Sequence, residues 1–200
     1  MRGERVSWWW RTRRAHVLLP LGLASLALLA LVLRDNTAGL PSFSVSGSSE
    51  TRIMLFAPIP LVALLALCLD SRLPAAEDTG VRPVRRMDTA LVGLVMAASV
   101  VVCLPLGWWL DADAVRAAGR NTVFFVSLLL LLRPFAGQAA VLAPLTWLMT
   151  VVLLGFRRPN DPYPWTVVPE PSGAAHAALA TVALLLAGVA VHHRGPRRGI

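Results

Sequence analysis

Hydrophobic positions fall into six runs set apart by polar punctuation: 15–33, 53–69, 89–110, 114–132, 138–156 and 174–192. A helix rises about 1.5 Å per residue, so crossing roughly 30 Å of hydrocarbon takes about 20 residues. Each run approaches or exceeds that length, which predicts an all-α integral membrane bundle of six transmembrane helices in a single domain. Residues 1–14 precede the first run with five Arg and the triplet Trp8-Trp9-Trp10, the composition of a segment lying at the headgroup level. Thr12-Arg13-Arg14 has the look of a twin-arginine export signal, but no small-x-small cleavage site precedes Arg34-Asp35, and an uncleaved first span is expected.

The fourth run departs from the pattern. The apolar core is only Thr122 to Leu132, 11 residues, and the preceding turns carry Arg116, Arg120 and Asn121. Ionisable groups inside a span are expensive in lipid and mark function candidates. Asp113 stands three residues before Arg116, a spacing that allows an ion pair on one helix face. These three residues are the candidate vestibule of a transport path; the competing reading has them snorkel outwards to the headgroups.

Other positions carry local expectations. Residues 34–52, rich in Ser and Gly, read as a flexible external loop. Pro58 and Pro60 predict a kink in the second span. Asp88 is placed to cap the third span, and Gly93 with Ala97 predicts a close helix approach there. Arg133-Pro134 is expected to end the fourth span, with a tight turn at Phe135-Ala136-Gly137. Residues 157–173 hold five prolines, Tyr163 and Trp165, and read as a stiff segment at the external interface. Ala180, Ala183, Ala187 and Ala190 form a small-residue seam on the sixth span.

Composition agrees with the runs. Charged residues make up 15% of the chain and mean hydropathy is +0.63, against about 25% charge in soluble domains. All 19 basic residues are Arg, so a phosphate-loop Lys and a Schiff-base amine are both excluded. The net charge of +8 sits at the ends of apolar runs rather than on one soluble face, which does not suggest nucleic acid. With six spans both termini share a side, which holds 13 Arg against 6 on the other, and the positive-inside rule makes that side cytoplasmic. Multi-pass residence in the cell membrane follows as an expectation. Cys68 and Cys103 differ in depth by roughly 20 Å, beyond the reach of a disulfide.

Catalytic and metal signals are sparse. The four His, at 16, 176, 192 and 193, show no zinc spacing, and no acid lies in the middle of a span. Asp111-x-Asp113 supplies too few ligands for a cation site. No cofactor, metal or catalytic residue is expected, and a membrane-interface enzyme is the least favoured class. The longest charged loop, 70–88, sets Arg72, Arg82, Arg85 and Arg86 against Asp70, Glu77, Asp78 and Asp88. Arg82, Arg85, Arg86, Glu77 and Asp78 are the candidate docking residues for a soluble partner.

A basic aromatic leader, six spans and a charged second loop together resemble the membrane subunits of type-2 ATP-binding-cassette exporters. The stretches Arg82 to Asp88 and Arg120 to Val123 are also similar to those of small six-span actinobacterial membrane proteins. The exporter resemblance implies a permease-like subunit that pairs with a separate cytoplasmic ATPase. Val6 to His16 and Asp70 to Asp88 would contact that ATPase, and a homodimer would let two copies line a path. The alternative is an accessory or anchoring membrane protein with no path.

Overall fold

The computed structural model describes residues 14–34, 36–43, 47–71, 84–158 and 161–194. Helix α1 covers Ala15–Leu33, α2 Pro58–Asp70, α3 Val84–Trp109, α4 Asp113–Ala136, α5 Ala143–Leu154 and α6 Ala175–Arg194. Among the described residues, five helical stretches are long and apolar enough to cross a membrane. Four match the first, second, third and sixth apolar runs. The fifth is the 42-residue stretch Asp113–Leu154, which contains both α4 and α5 joined by the 3-10 segment Gly137–Leu142.

That stretch doubles back on itself. A straight helix would hold positions 124 and 147 about 35 Å apart, yet the rings of Phe124 and Trp147 are centred 5.6 Å from each other. The reversal occurs at Gly137, whose φ of +58° is open to glycine and strained for other residues. Arg133-Pro134 does not end α4, contrary to the sequence expectation: the helix carries through Pro134 to Ala136.

Helix directions follow from two contacts. Arg133, near the end of α4, bonds Asp70 at the end of α2, so these two helices finish at one level. Asp113, at the start of α4, holds Ser172 just before α6, so α4 and α6 start together and run parallel. The tight approach of Gly188 to Ser127, about two thirds of the way along both, agrees with that direction. Two ends of the bundle result, one marked by Asp70 and Arg133, the other by Asp113 and Ser172.

Helix α4 is the axis of the bundle. It is flanked by α3 where Gly119 sits: a Cβ there would lie 3.2 Å from Val100 Cα and 3.3 Å from Cys103 Cβ. It is flanked by α6 where a Cβ on Gly188 would lie 2.8 Å from the Ser127 carbonyl oxygen. The close approaches are therefore at Gly119 and Gly188, not at the positions read from the sequence. Gly93 would meet nothing within 4 Å, and Ala97 is exposed. On α6 the packed line is Ala177, Thr181, Leu184 and Gly188, while Ala183 and Ala187 face outwards. The large outward residues, Leu179, Val182 and Leu186, are apolar, as a helix bounded by lipid requires.

The second span, Ile53–Asp70, changes from a 3-10 turn over Ile53–Phe56 to α2 at Pro58, where the missing N–H costs α2 no bond. Two further expectations are corrected. Helix α3 starts at Val84, so Asp88 is a buried residue inside it and not its cap. The loop 34–52 contains an antiparallel hairpin, β1 Thr37–Ser42 with β2 Gly47–Arg52, in the register Thr37 to Arg52 through Ser42 to Gly47. The Phe43 N–H beside it donates to the Leu153 carbonyl at 3.0 Å, which fixes the hairpin against the end of α5.

Candidate functional site

The turn between α3 and α4 sets the first part of the site. Asp111 takes a left-handed conformation with φ 49°, and the Ala112 N–H donates to the Gly107 carbonyl at 3.0 Å. A Cβ on Gly107 would lie 2.5 Å from Arg116 Cγ and 2.8 Å from its backbone nitrogen, so only glycine lets the arginine stem cross there. Arg116 then lies 5.3 Å over the Trp108 ring, donates to the Gly107 carbonyl at 3.3 Å, and donates to Asp113 Oδ1 at 3.4 Å. The ion pair expected from the three-residue spacing is present. Asp111 is 3.9 Å from Arg116, with its side chain fully exposed to solvent.

The second part is a strap, residues 163–173, that descends along α4. Asp113 Oδ1 accepts from the Ser172 hydroxyl at 2.5 Å and Oδ2 from the Ser172 N–H at 3.1 Å. Two turns on, Arg120 Nη1 donates to the Pro171 carbonyl at 2.8 Å. Its Nη2 donates to the carbonyls of Glu170 at 2.7 Å and Val167 at 3.1 Å. Asn121 completes the clamp: Oδ1 accepts from Arg120 Nη2 at 3.2 Å, and Nδ2 donates to the Val168 carbonyl at 2.9 Å. Asn121 is 2% exposed.

This arrangement explains why a guanidinium and an amide occupy a helix that is otherwise apolar. The strap is mostly irregular backbone, so its carbonyls have no helical partners, and unsatisfied polar groups away from water cost several kcal/mol each. Arg120 and Asn121 supply donors to the carbonyls of Val167, Val168 and Glu170, and Arg120 adds a second donor to that of Pro171, which also accepts from the Ala174 N–H. From Asp113 to Asn121 the strap follows α4 for about 12 Å at 1.5 Å per residue. Its tightest point is Val167, which holds φ 48° and ψ −51° in a turn closed by the Val168 N–H on the Thr166 carbonyl. Positive φ is a strained conformation for a β-branched residue, and it is here that the Val167 and Val168 carbonyls are turned towards Arg120 and Asn121.

An aromatic ladder adjoins the strap. Phe125 and Phe124 meet edge to face at 5.9 Å, Phe124 and Trp147 at 5.6 Å, and Trp147 and Trp165 edge to face at 6.1 Å. Trp165 stacks with Tyr163 at 6.4 Å, and the Arg157 guanidinium lies 4.7 Å over the Tyr163 ring. The Trp147 indole N–H is buried and has no hydrogen-bond partner. Trp165 is legible in the sequence as an interfacial residue; its contact with Trp147, a residue of the fifth apolar run, depends on the strap and is not.

At the opposite end, Arg133 Nη2 lies 2.5 Å from Asp70 Oδ1. Of the docking residues read from the sequence, Glu77, Asp78 and Arg82 lie outside the described residues, and Arg85 and Arg86 fall in the first turn of α3. Cys68 and Cys103 are both buried, and neither is in a disulfide. Among the described residues no three His, Cys, Asp or Glu side chains gather to hold a metal ion.

The residues Arg116, Arg120 and Asn121 are thus brought together, with Asp113, at one end of the bundle. Each is engaged by the chain itself. Comparison with family models, with curated proteins and with solved structures finds no match.

Proposed function

We propose that the chain is a six-crossing integral membrane protein of the cell membrane, with both termini cytoplasmic, acting as a non-catalytic accessory or anchoring subunit. The folding back of α4 on α5 supports six crossings rather than five, since it gives each apolar run its own passage. The arginine distribution supports a cytoplasmic Asp70 end, because that end carries the larger share. The observation that carries the accessory reading is the engagement of Arg120. A residue serving a solute must have donors free to meet it, and this guanidinium gives Nη1 and Nη2 to three carbonyls of the strap.

A permease-like subunit paired with a cytoplasmic ATPase is the second reading, favoured by the charged segment 70–88 at the Asp70 end. Its root is held to the bundle by the Asp70–Arg133 pair, so a soluble partner gripping it would pull on the end of α4. A pull-down of the tagged protein in mild detergent, wild type against Arg85→Glu/Arg86→Glu, separates the two. The accessory reading expects membrane-protein partners that both forms retain and no ATPase with either. A stoichiometric ATPase lost from the charge-reversed form overturns it in favour of the permease.

A further inference from the structure

We infer that the strap is a re-entrant segment, which enters the outer leaflet, reaches close to the bilayer midplane and returns, and that its outward face, Pro164 and Trp165, is a contact surface for lipid acyl chains. The inference rests on the six-crossing reading above and adds to it where the strap lies and what covers it.

Two levels bound the hydrocarbon. From Asp113 to Arg133 α4 rises through twenty residues, about 30 Å, which equals the hydrocarbon core of a bilayer. The outer level is marked by Asp113 on Ser172 and by the fully exposed Asp111, the inner level by the Asp70–Arg133 pair. Helix α5 agrees. Trp147 lies beside Phe124, and ten residues further on Arg157 is back at about the level of Asp113. Trp108 and Trp109, exposed at the end of α3, belong to the same level, which indoles favour.

Both ends of the strap are fixed near the outer level. At one end the Tyr163 N–H donates to the Gly155 carbonyl at 2.8 Å and Phe156 pairs with Pro162; at the other, Asp113 holds Ser172. Between them the chain goes down. The Val168 carbonyl meets Asn121, eight residues past Asp113 on α4. The Trp165 ring meets Trp147, which shares the level of Phe124, eleven residues past Asp113. At 1.5 Å per residue these markers lie about 12 and 16 Å beneath the outer level, against about 15 Å to the midplane. Four residues carry the chain from Val168 back up to Ser172, which an extended backbone manages at about 3.3 Å per residue.

Non-helical backbone at this depth is tolerated where the protein itself bonds its polar groups. The Tyr163 carbonyl accepts from the Thr166 N–H at 2.9 Å and from the Thr166 hydroxyl at 2.7 Å, and the Thr166 carbonyl accepts from the Val168 N–H. The carbonyls of Val167 and Val168 accept from Arg120 and Asn121. Thr166, Val167 and Val168 are buried, and what faces outwards beside them is apolar: Pro164, exposed, and Trp165, 43% exposed. A strap among the headgroups would have water for its carbonyls. This one takes a guanidinium and an amide from within a span.

The full chain is reconstituted in phosphatidylcholine vesicles with a nitroxide label on one introduced cysteine. Power saturation then compares collisions with oxygen, which enters the hydrocarbon, and with a nickel chelate, which stays in water. Leu186→Cys, on the outward side of α6, is the hydrocarbon reference, and Arg158→Cys the outer-level reference. The label at Trp165→Cys is expected to match Leu186→Cys, with several-fold more collisions with oxygen than with nickel, and Arg158→Cys to show the reverse. Nickel collisions at Trp165→Cys equal to those at Arg158→Cys overturn the inference. Cys68 and Cys103, buried in the native chain, stay unlabelled while the fold holds. If Trp165→Cys loses that protection, Pro164→Cys takes its place with the same two outcomes. Nickel reaching Leu186→Cys as readily as Arg158→Cys refutes the membrane reading, whereas protection at Leu186→Cys with access at Trp165→Cys refutes only the re-entrant strap.

Discussion

Asp70 and Arg133, 63 positions apart, meet at 2.5 Å and join the end of α2 to the end of α4. Their side chains are 24% and 12% exposed, so the pair is shielded enough to be worth more than a surface bridge.

Removing one partner leaves a largely shielded charge. Asp70→Asn or Arg133→Gln should destabilise the protein by about 1.5–3 kcal/mol, the range for hydrogen bonds to charged groups. The exchanged double variant Asp70→Arg/Arg133→Asp should recover part of the loss. Thermal unfolding in detergent, read as a double-mutant cycle, checks it; strict additivity would show the pair to be idle.

Arg120→Lys should loosen the strap nearly as much as Arg120→Gln, because an ammonium is a point charge and cannot reach three carbonyls in a plane. In a Val168→Cys background, position 168, wholly buried in the native chain, should become reactive to a polar maleimide in both variants. Cys103 should stay protected. Reactivity at both positions would mean general unfolding and no separate strap.

Asn121→Leu keeps volume but removes the donor to the Val168 carbonyl and the acceptor for Arg120. The loss should be about 1–3 kcal/mol, the cost of leaving a buried partner unsatisfied. Asn121→Asp should cost less, since a carboxylate beside Arg120 retains the acceptor. Melting curves of the two variants decide the order.

The apolar runs were legible because a lipid-facing or core-facing helix declares itself by composition alone. The hairpin was not: Thr37–Ser42 and Gly47–Arg52 have no alternation and few β-branched residues, so pairing is visible only in the backbone. Arg116, Arg120 and Asn121 were found as the exception in a span, yet their target was hidden, because backbone carbonyls leave no mark in a sequence. The Asp113 to Arg116 pair was readable, being local; Asp113 to Ser172 and Asp70 to Arg133 were not, being set by the fold. Small residues posed a different problem. Their spacing shows that a helix can be approached closely, but not from which side, and it pointed to Gly93 and Ala183 where α4 in fact presses on Val100, Cys103 and Gly188.

That last point has its own test. Gly188→Leu should destabilise by about 1–3 kcal/mol through overpacking against α4, while Gly93→Leu, with open space around it, should be close to neutral. Equal losses at the two positions, measured by thermal unfolding, would contradict the packing.

The strap carbonyls that receive Arg120 lie 47 to 51 positions later in the chain. During synthesis α4 therefore emerges with a guanidinium that has only the neighbouring Asn121 to bond within the chain, and the carbonyls that complete its hold do not exist until residues 167–171 have followed. On the six-crossing reading, α4 is a poor passenger for the insertion machinery when alone and is completed only after α5 has returned to the outer side. Assembly thus has an order written into it: the central helix is made early, and its settled place in the membrane comes late.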